Sequence, residues 1–328
     1  MNSKWCEQFL EKECNGKALL VPSCTAALEL ASFLLLRPQD EVILPSWAFP
    51  SCANAIIMRG AVPVFVDVDV NLNISPSKII AAITPKTKAI MVIHYAGVMA
   101  DMDRINTIAK AHGLYVIEDA AQAIGNWKLT GDIGCLSFHY TKNVDCGQGG
   151  AFLTADPDLW ERAKIAAHCG TDKLKFYSGY QDYYSWLGVG SQYVMSEYQA
   201  DVLRERLERL DEITEHRKKI WDIYSSNVSA GNAAKVRGNG HIFWFEMPDK
   251  WEWLKRMRQF GVGVTSHFDA LHMTKPGREF GRASGPIHNA TRAMQTLVKL
   301  NTGVSEDAAL MNCELIWPGS TGSTRKTL

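Results

Sequence analysis

The sequence predicts an α/β fold: a mostly parallel sheet flanked by helices, with a small α+β unit at the C-terminal end. Three observations carry this. Short, unbroken apolar runs recur through the first half, such as Val62-Pro-Val-Phe-Val66 and Lys88-Ala-Ile-Met-Val-Ile93. Strands covered on both faces read this way, whereas half-exposed strands alternate. Helix-period segments such as Asp101 to His112 separate the runs, which is the pattern of strand–helix–strand crossovers. After residue 228 the character changes, with Gly231, Gly238 and Gly240 punctuating shorter elements.

In order, Ala18–Val21 reads as a strand and Thr25–Leu36 as a helix of small and aliphatic residues. Glu41–Leu44 and Val62–Val66 are strands, the second ending in Asp67. Ser75–Ile83 is a helix with Ser75 as N-cap and Pro76 at its first position. Lys88–Ile93 is a buried strand, Asp101–His112 an amphipathic helix, and Leu114–Ile117 a strand that delivers Glu118 and Asp119 at its carboxyl end. Cys135–Phe138 and Ala151–Thr154 complete the sheet. Ser196 to about Ser226 reads as one long helix bridging two domains. Beyond it come strands at His241–Glu246 and Val262–Thr265 and helices at Trp251–Phe260 and Thr291–Leu300. The expected division is a large domain over 1–195, a bridging helix over 196–228, a small C-terminal domain over 229–317, and a polar, glycine-rich, disordered tail over 318–328.

Composition narrows the function. A formal net charge of +0 gives no support for nucleic-acid or acidic-membrane binding. No run approaches the roughly 18 apolar residues that span a bilayer, and the start, Met1-Asn-Ser-Lys-Trp5, lacks a signal-peptide layout. The chain reads as soluble and cytoplasmic. The eight cysteines form no Cys-x-x-Cys pair, and His94, His112, His168 and His216 lack ligand spacing, so no metal site is expected. Asp67-Val-Asp69 is likewise assigned no metal. Cys146 is read as a packing residue rather than a reactive thiol.

One segment stands out. Lys142 lies in Ser137-Phe-His-Tyr-Thr-Lys142-Asn143, between an apolar strand and the glycine turn Gly147-Gln-Gly-Gly150. Any lysine can be a surface lysine, but a nucleophilic one needs a partly desolvated site that lowers its pKa. Asp119 ends a strand; it can cap the following turn, or protonate and hold a heteroaromatic nitrogen. Gln122 follows three residues on. Ser23-Cys24-Thr25-Ala26 opens a helix with small residues, which suits an ordinary N-cap and equally a phosphate at the positive helix end. Ser137 can add a hydroxyl there. Trp47 and Phe49 follow a strand, and either can stack on a ring or fill the core. Ligands of such sheets bind at the carboxyl ends of the strands, where Asp119 and Lys142 fall. An amine, a carboxylate and a phosphate cradle are what a protein must offer pyridoxal 5′-phosphate (PLP).

Ser23-Cys-Thr-Ala-Ala-Leu-Glu-Leu30, Gly60-Ala-Val-Pro-Val-Phe-Val-Asp-Val68, Glu118-Asp-Ala-Ala-Gln-Ala123 and Ser137-Phe-His-x-Thr-Lys-Asn143 resemble the DegT/DnrJ/StrS sugar aminotransferases, a branch of the PLP-dependent transferases of fold type I. The last motif, with Gly170-Thr171 and Trp186-x-x-x-Gly190-Ser-x-Tyr-x-Met-Ser196, is most similar to the transaminases that make dTDP-4-amino-4,6-dideoxygalactose. The resemblance implies that Lys142 holds PLP covalently until an amino donor, usually glutamate, displaces it, and that the freed lysine then moves the proton between Cα and C4′. It implies Asp119 at the pyridine nitrogen, Gln122 at the 3′-oxygen and Phe49 on the ring face. Cys24, Thr25, Ala26 and Ser137 would surround the phosphate. Lysine at 142 sets the chain apart from the dehydratase branch, which has histidine there. Homodimers are implied, with Gln192 in the loop Gly190-Ser-Gln192 reaching the partner's phosphate, where many relatives carry asparagine.

Departures from the family pattern cluster on the substrate side. Relatives carry a further N-terminal segment ahead of the region matched here. The glycine turn is one residue shorter, with Gln148 where glutamate is common. Asp172-Lys-Leu-Lys-Phe-Tyr-Ser178 replaces an asparagine-arginine pair and a later arginine, and Lys299-Leu-Asn-Thr302 replaces a leucine-proline run. The expected activity is transfer of an amino group from glutamate to a dTDP-4-keto-6-deoxyhexose. The alternatives are a different keto scaffold, such as an aminocyclitol or natural product, and a non-catalytic binding or regulatory protein of the same fold.

Overall fold

The computed structural model describes residues 1–228 and 232–318, so of the C-terminal tail 318–328 only Pro318 is included. Seven strands of the first half build the large sheet: β1 (Lys17–Val21), β2 (Glu41–Pro45), β3 (Val62–Val66), β4 (Thr87–Ile93), β5 (Tyr115–Asp119), β6 (Ile133–Ser137) and β7 (Gly150–Thr154). β8 (Ile242–Glu246), β9 (Val264–Thr265), β10 (Arg282–Ala283) and β11 (Leu297–Asn301) follow. The eight-stranded sheet has the order β1-β7-β6-β5-β4-β2-β3-β10, and the three-stranded sheet β8-β11-β9. β10 through β6 run parallel, and β7 is antiparallel to both β6 and β1. This is the predicted mostly parallel sheet with helices packed on it.

The apolar runs became strands because both faces are covered; every residue of β2, β6 and β7 is buried. Local chemistry sets the helix ends. Asp101 accepts from the Arg104 N–H to start the helix Met102–His112, and Gly113 closes it in the left-handed region at φ 64°. Ser75 does stand at the start of Pro76–Ala82, but its hydroxyl meets Ser77 rather than capping the backbone.

Two expectations need correction, and one helix was not anticipated. The long helix is two, Glu197–Leu207 and Leu210–Asn227. The chain leaves helical geometry at Arg209, and Leu207 and Leu210 both reach the same core cluster. The helix expected over Thr291–Leu300 stops at Thr296, and Leu297–Asn301 is β11, the central strand of the small sheet. A short apolar run does not tell helix from strand by periodicity, and pairing on both sides decides it here. The N-terminal helix Asn2–Cys14, for which no capping signal was read, buries Cys6, Leu10 and Cys14.

The segment after β9 returns to the large sheet. β10 pairs with β3, and Arg282 clasps Glu41 of β2 at 2.8 and 2.9 Å. Asp67, just past β3, accepts from the N–H groups of His288, Asn289 and Ala290 at 2.9–3.0 Å and so caps the helix Asn289–Thr296. That is its structural work.

Candidate active site

A cavity of about 600 Å³ opens at the carboxyl ends of β4, β5 and β6, with Ile93, Asp119 and Ser137 in its wall. It collects most of the residues singled out by sequence: Cys24, Thr25, Phe49, Asp119, Gln122, Ser137 and Lys142 line it. Ala26 does not; its N–H is taken by the Ser23 hydroxyl at 3.1 Å. Gln192 also lies apart, where its amide oxygen meets Cys169 and Lys173, each at 3.3 Å.

Asp119 sits on the cavity floor. One carboxylate oxygen accepts from the Ala121 N–H at 3.0 Å, and the other from the Cys52 thiol at 3.1 Å. The carboxylate is therefore both a turn cap and a fixed negative charge. Burial, reinforced by this charge, pushes the Cys24 and Cys52 thiols far above the ordinary range, so both stay neutral. Lys142 touches the cavity with part of its surface, yet the surrounding protein strips its amine of water and lowers its pKa, with Asp119 pulling the other way. Its backbone is pinned by the His139 carbonyl at 2.8 Å and by Arg217 at 3.5 Å. The Gln122 amide oxygen accepts from the Ala96 N–H at 2.8 Å, leaving its NH₂ for the cavity. Phe49 is 56% exposed at the mouth, while Trp47 is fully buried against Tyr95 and Phe268. Packing thus claims Trp47 and leaves Phe49 as the ring at the site.

The helix Cys24–Leu35 points its N-terminus into the cavity wall, capped by Ser23. β7 crosses close behind it. A Cβ on Gly150 would lie 2.4 Å from Ser23 C and 2.5 Å from Cys24 N, both backbone atoms that cannot step aside. Glycine is required here for close approach. Gly150→Ala is expected to lower stability by about 1–3 kcal/mol and to loosen the anion site, checked by thermal melting and by phosphate-ester affinity.

The remaining wall comes from the small-sheet side and was not singled out as catalytic: His241, Ser266, His267, Phe268 and Lys299. Burial and the nearby Lys142 charge hold His241 neutral, and its Nδ1 meets Asn143 Oδ1 at 2.7 Å. With Nδ1–H donated to that oxygen, the lone pair falls on Nε2. His267 is also neutral and stacks flat on Phe268 at 4.3 Å. Of these wall residues, only Lys299 lay in a run expected as helix and found as strand; His241 begins an expected strand and Ser266–Phe268 follow another, without any motif to mark them. His94 and Glu118 form a pair at 2.8 Å beneath the site, with Trp127 closing it at 2.7 Å; their role is structural. Burial raises the Cys146 thiol to about 11, which fits packing rather than reactivity.

The profile of the DegT/DnrJ/EryC1/StrS aminotransferase family matches residues 2–308. The chain belongs to this family. It is 34% identical over 299 residues to the spore coat polysaccharide biosynthesis protein SpsC of Bacillus subtilis, covering 83% of this chain and 77% of that one. Among solved structures it is similar to the aminotransferase TlmJ of Streptoalloteichus hindustanus, at 26% identity and a TM-score of 0.87 over 98% of this chain and 91% of that one. It is also similar to 3-amino-5-hydroxybenzoic acid synthase, at 28% identity and 0.87 with the same coverages. The family member is a PLP-dependent aminotransferase of fold type I. The residues present fit the cofactor: a desolvated amine, a fixed carboxylate, a helix N-terminus kept open by Gly150, and an aromatic ring at the mouth. When bound, PLP supplies the electron sink for proton exchange at the substrate carbon.

Proposed function

We propose that the protein transfers an amino group from glutamate to the keto carbon of a nucleotide sugar, a dTDP-4-keto-6-deoxyhexose. The observation that carries the reading is Lys142 with its amine desolvated in the same cavity as Asp119. Lys142 would hold the cofactor through its aldehyde carbon, with water as the leaving group, and once displaced by the amino donor would move the proton at the substrate carbon. Asp119 would hold the pyridine nitrogen protonated, Gln122 would donate to the 3′-oxygen, and Phe49 would cover the ring. Cys24, Thr25, Ala26 and Ser137 would bound the phosphate, Ala26 by its size, since its N–H is already used. Similarity to a polysaccharide biosynthesis protein supports a sugar acceptor.

The working unit is a homodimer in this reading. Gln192 is held outside its own chain's cavity, and Tyr180, Tyr183, Trp186 and Val189 just before it are 70–86% exposed. Apolar side chains gathered in one segment suit burial against a second copy. The test is product analysis by mass spectrometry with glutamate and dTDP-4-keto-6-deoxyglucose. An aminated deoxysugar is expected; no product with this sugar, and amination of another keto compound, would remove the substrate assignment.

A second reading keeps the chemistry and changes the acceptor to a non-nucleotide keto scaffold. The loop 172–178 favours it, since Asp172 spends its side chain on the Ser185 N–H at 2.7 Å and no arginine is present. One similar structure is also named for an amino-hydroxybenzoic acid. The protein in the cofactor's amine form would be returned to the aldehyde form by the true acceptor and, apart from the donor's own keto acid, by no other keto compound.

A further inference from the structure

The cavity is electrostatically lopsided. Among the described residues that line it, Asp119 is the one carboxylate, and it acts on Cys24, Cys52 and Lys142. On the other side the Lys299 ammonium acts on His241 and His267 and is itself repelled by Lys142. Lys142 thus stands between an acidic and a basic pole.

Among the described residues Lys299 has no partner for its charge: its ammonium makes no hydrogen bond and no ion pair. Burial, with Lys142 adding to it, pulls its pKa to about 8, so it is still charged at neutral pH. A cation removed from water without a counter-charge costs stability. Its place is nevertheless fixed. In β11 it pairs with Trp244 of β8 on one side and Thr265 of β9 on the other, with Val298 and Leu300 buried on the opposite face. An apolar residue there would pack without this penalty.

We infer that Lys299 anchors a substrate carboxylate next to the carbon at which the amino group is exchanged. This rests on the aminotransferase reading and deepens it. The reacting carbon must meet Lys142, and Lys299 is near enough to Lys142 for the two charges to interact. A carboxylate is bonded to or near that carbon, whereas a sugar diphosphate is separated from a ring keto carbon by the ring itself. The neutral imidazoles beside it add hydrogen-bonding capacity without competing charge. The carboxylate belongs either to the amino donor or to an acidic acceptor, and the two are separable.

The test uses the cofactor-loaded protein and its Lys299→Met and Lys299→Arg variants. Glutamate affinity is read from the spectral change of the donor half-reaction. Affinity for maleate, which has no amino group to transfer, is read by calorimetry. Lys299→Met is expected to weaken maleate binding about 100-fold, as for loss of a buried charge-assisted contact, with cofactor loading unchanged and Lys299→Arg recovering part of it. A parallel loss for glutamate assigns the donor; unchanged glutamate with a weakened keto-acid acceptor assigns the acceptor. Melting temperature serves as the structural readout, and Lys299→Met should melt no lower than the parent. Unchanged maleate, glutamate and acceptor binding, or a lowered melting temperature with binding intact, overturns the inference. Should the parent transfer no amino group at all, the maleate arm still decides whether Lys299 holds a carboxylate.

Discussion

Lys142→Ala loses transamination by about 10³-fold or more, the contribution of a positioned proton-transfer group, in addition to losing the covalent attachment. In the proposed reading Ser23–Ala26, Asp119 and Gln122 would hold the cofactor without the lysine side chain, so the variant is expected to take it up still, without the covalent link. The check is single-turnover kinetics with glutamate together with a spectrum of the loaded variant. The stability effect has the opposite sign. Burial lowers the Lys142 pKa in the folded protein, so the unfolded chain binds that proton more tightly. Apoprotein stability therefore rises with pH between the lowered folded value and the ordinary lysine value of 10.5. Lys142→Met flattens this rise and melts no lower than the parent at neutral pH. A variant that is inactive because it is unfolded would break the account.

Asp119→Asn is the second large effect. The substitution keeps the shape and the Ala121 turn contact but removes the negative charge that, in the proposed reading, would hold a protonated ring nitrogen. The expected loss is about 10²–10³-fold in kcat, on the scale of one preorganised electrostatic contact, with a smaller change in cofactor affinity because the phosphate cradle is untouched. Neighbouring groups provide an independent signature. The Asp119 charge helps raise the Cys24 and Cys52 thiols, so both should fall toward the ordinary value when it is removed. Burial remains the larger cause, so they stay well above it. Half-reaction rates and thiol titration under partial denaturation check the two parts.

The sheet was legible because its strands carry one signal each: continuous apolar runs that end in a polar residue at the cavity, as in Ile117-Glu118-Asp119. The gathering of Asp119, Ser137 and Lys142 at one cavity was legible for the same reason, since all three sit within a few residues of a strand end. The rest was hidden by tertiary context. Leu297-Val-Lys-Leu300 has no period that separates helix from strand, and only pairing with β8 and β9 turns Lys299 toward the cavity. His241 and His267 were invisible because their neutrality comes from burial, and His241 is placed by Asn143, which lies far from it in the chain. The break at Arg209 carries no glycine or proline and leaves no mark in the sequence.

Two lysines share the cavity, and the account assigns them different work. Borohydride reduction of the cofactor-loaded protein, followed by proteolysis and mass spectrometry, tests that assignment most directly. The account predicts one phosphopyridoxyl label, on the peptide carrying Lys142, absent from Lys142→Ala. A label on Lys299 in the parent, or no label on any lysine, would contradict it.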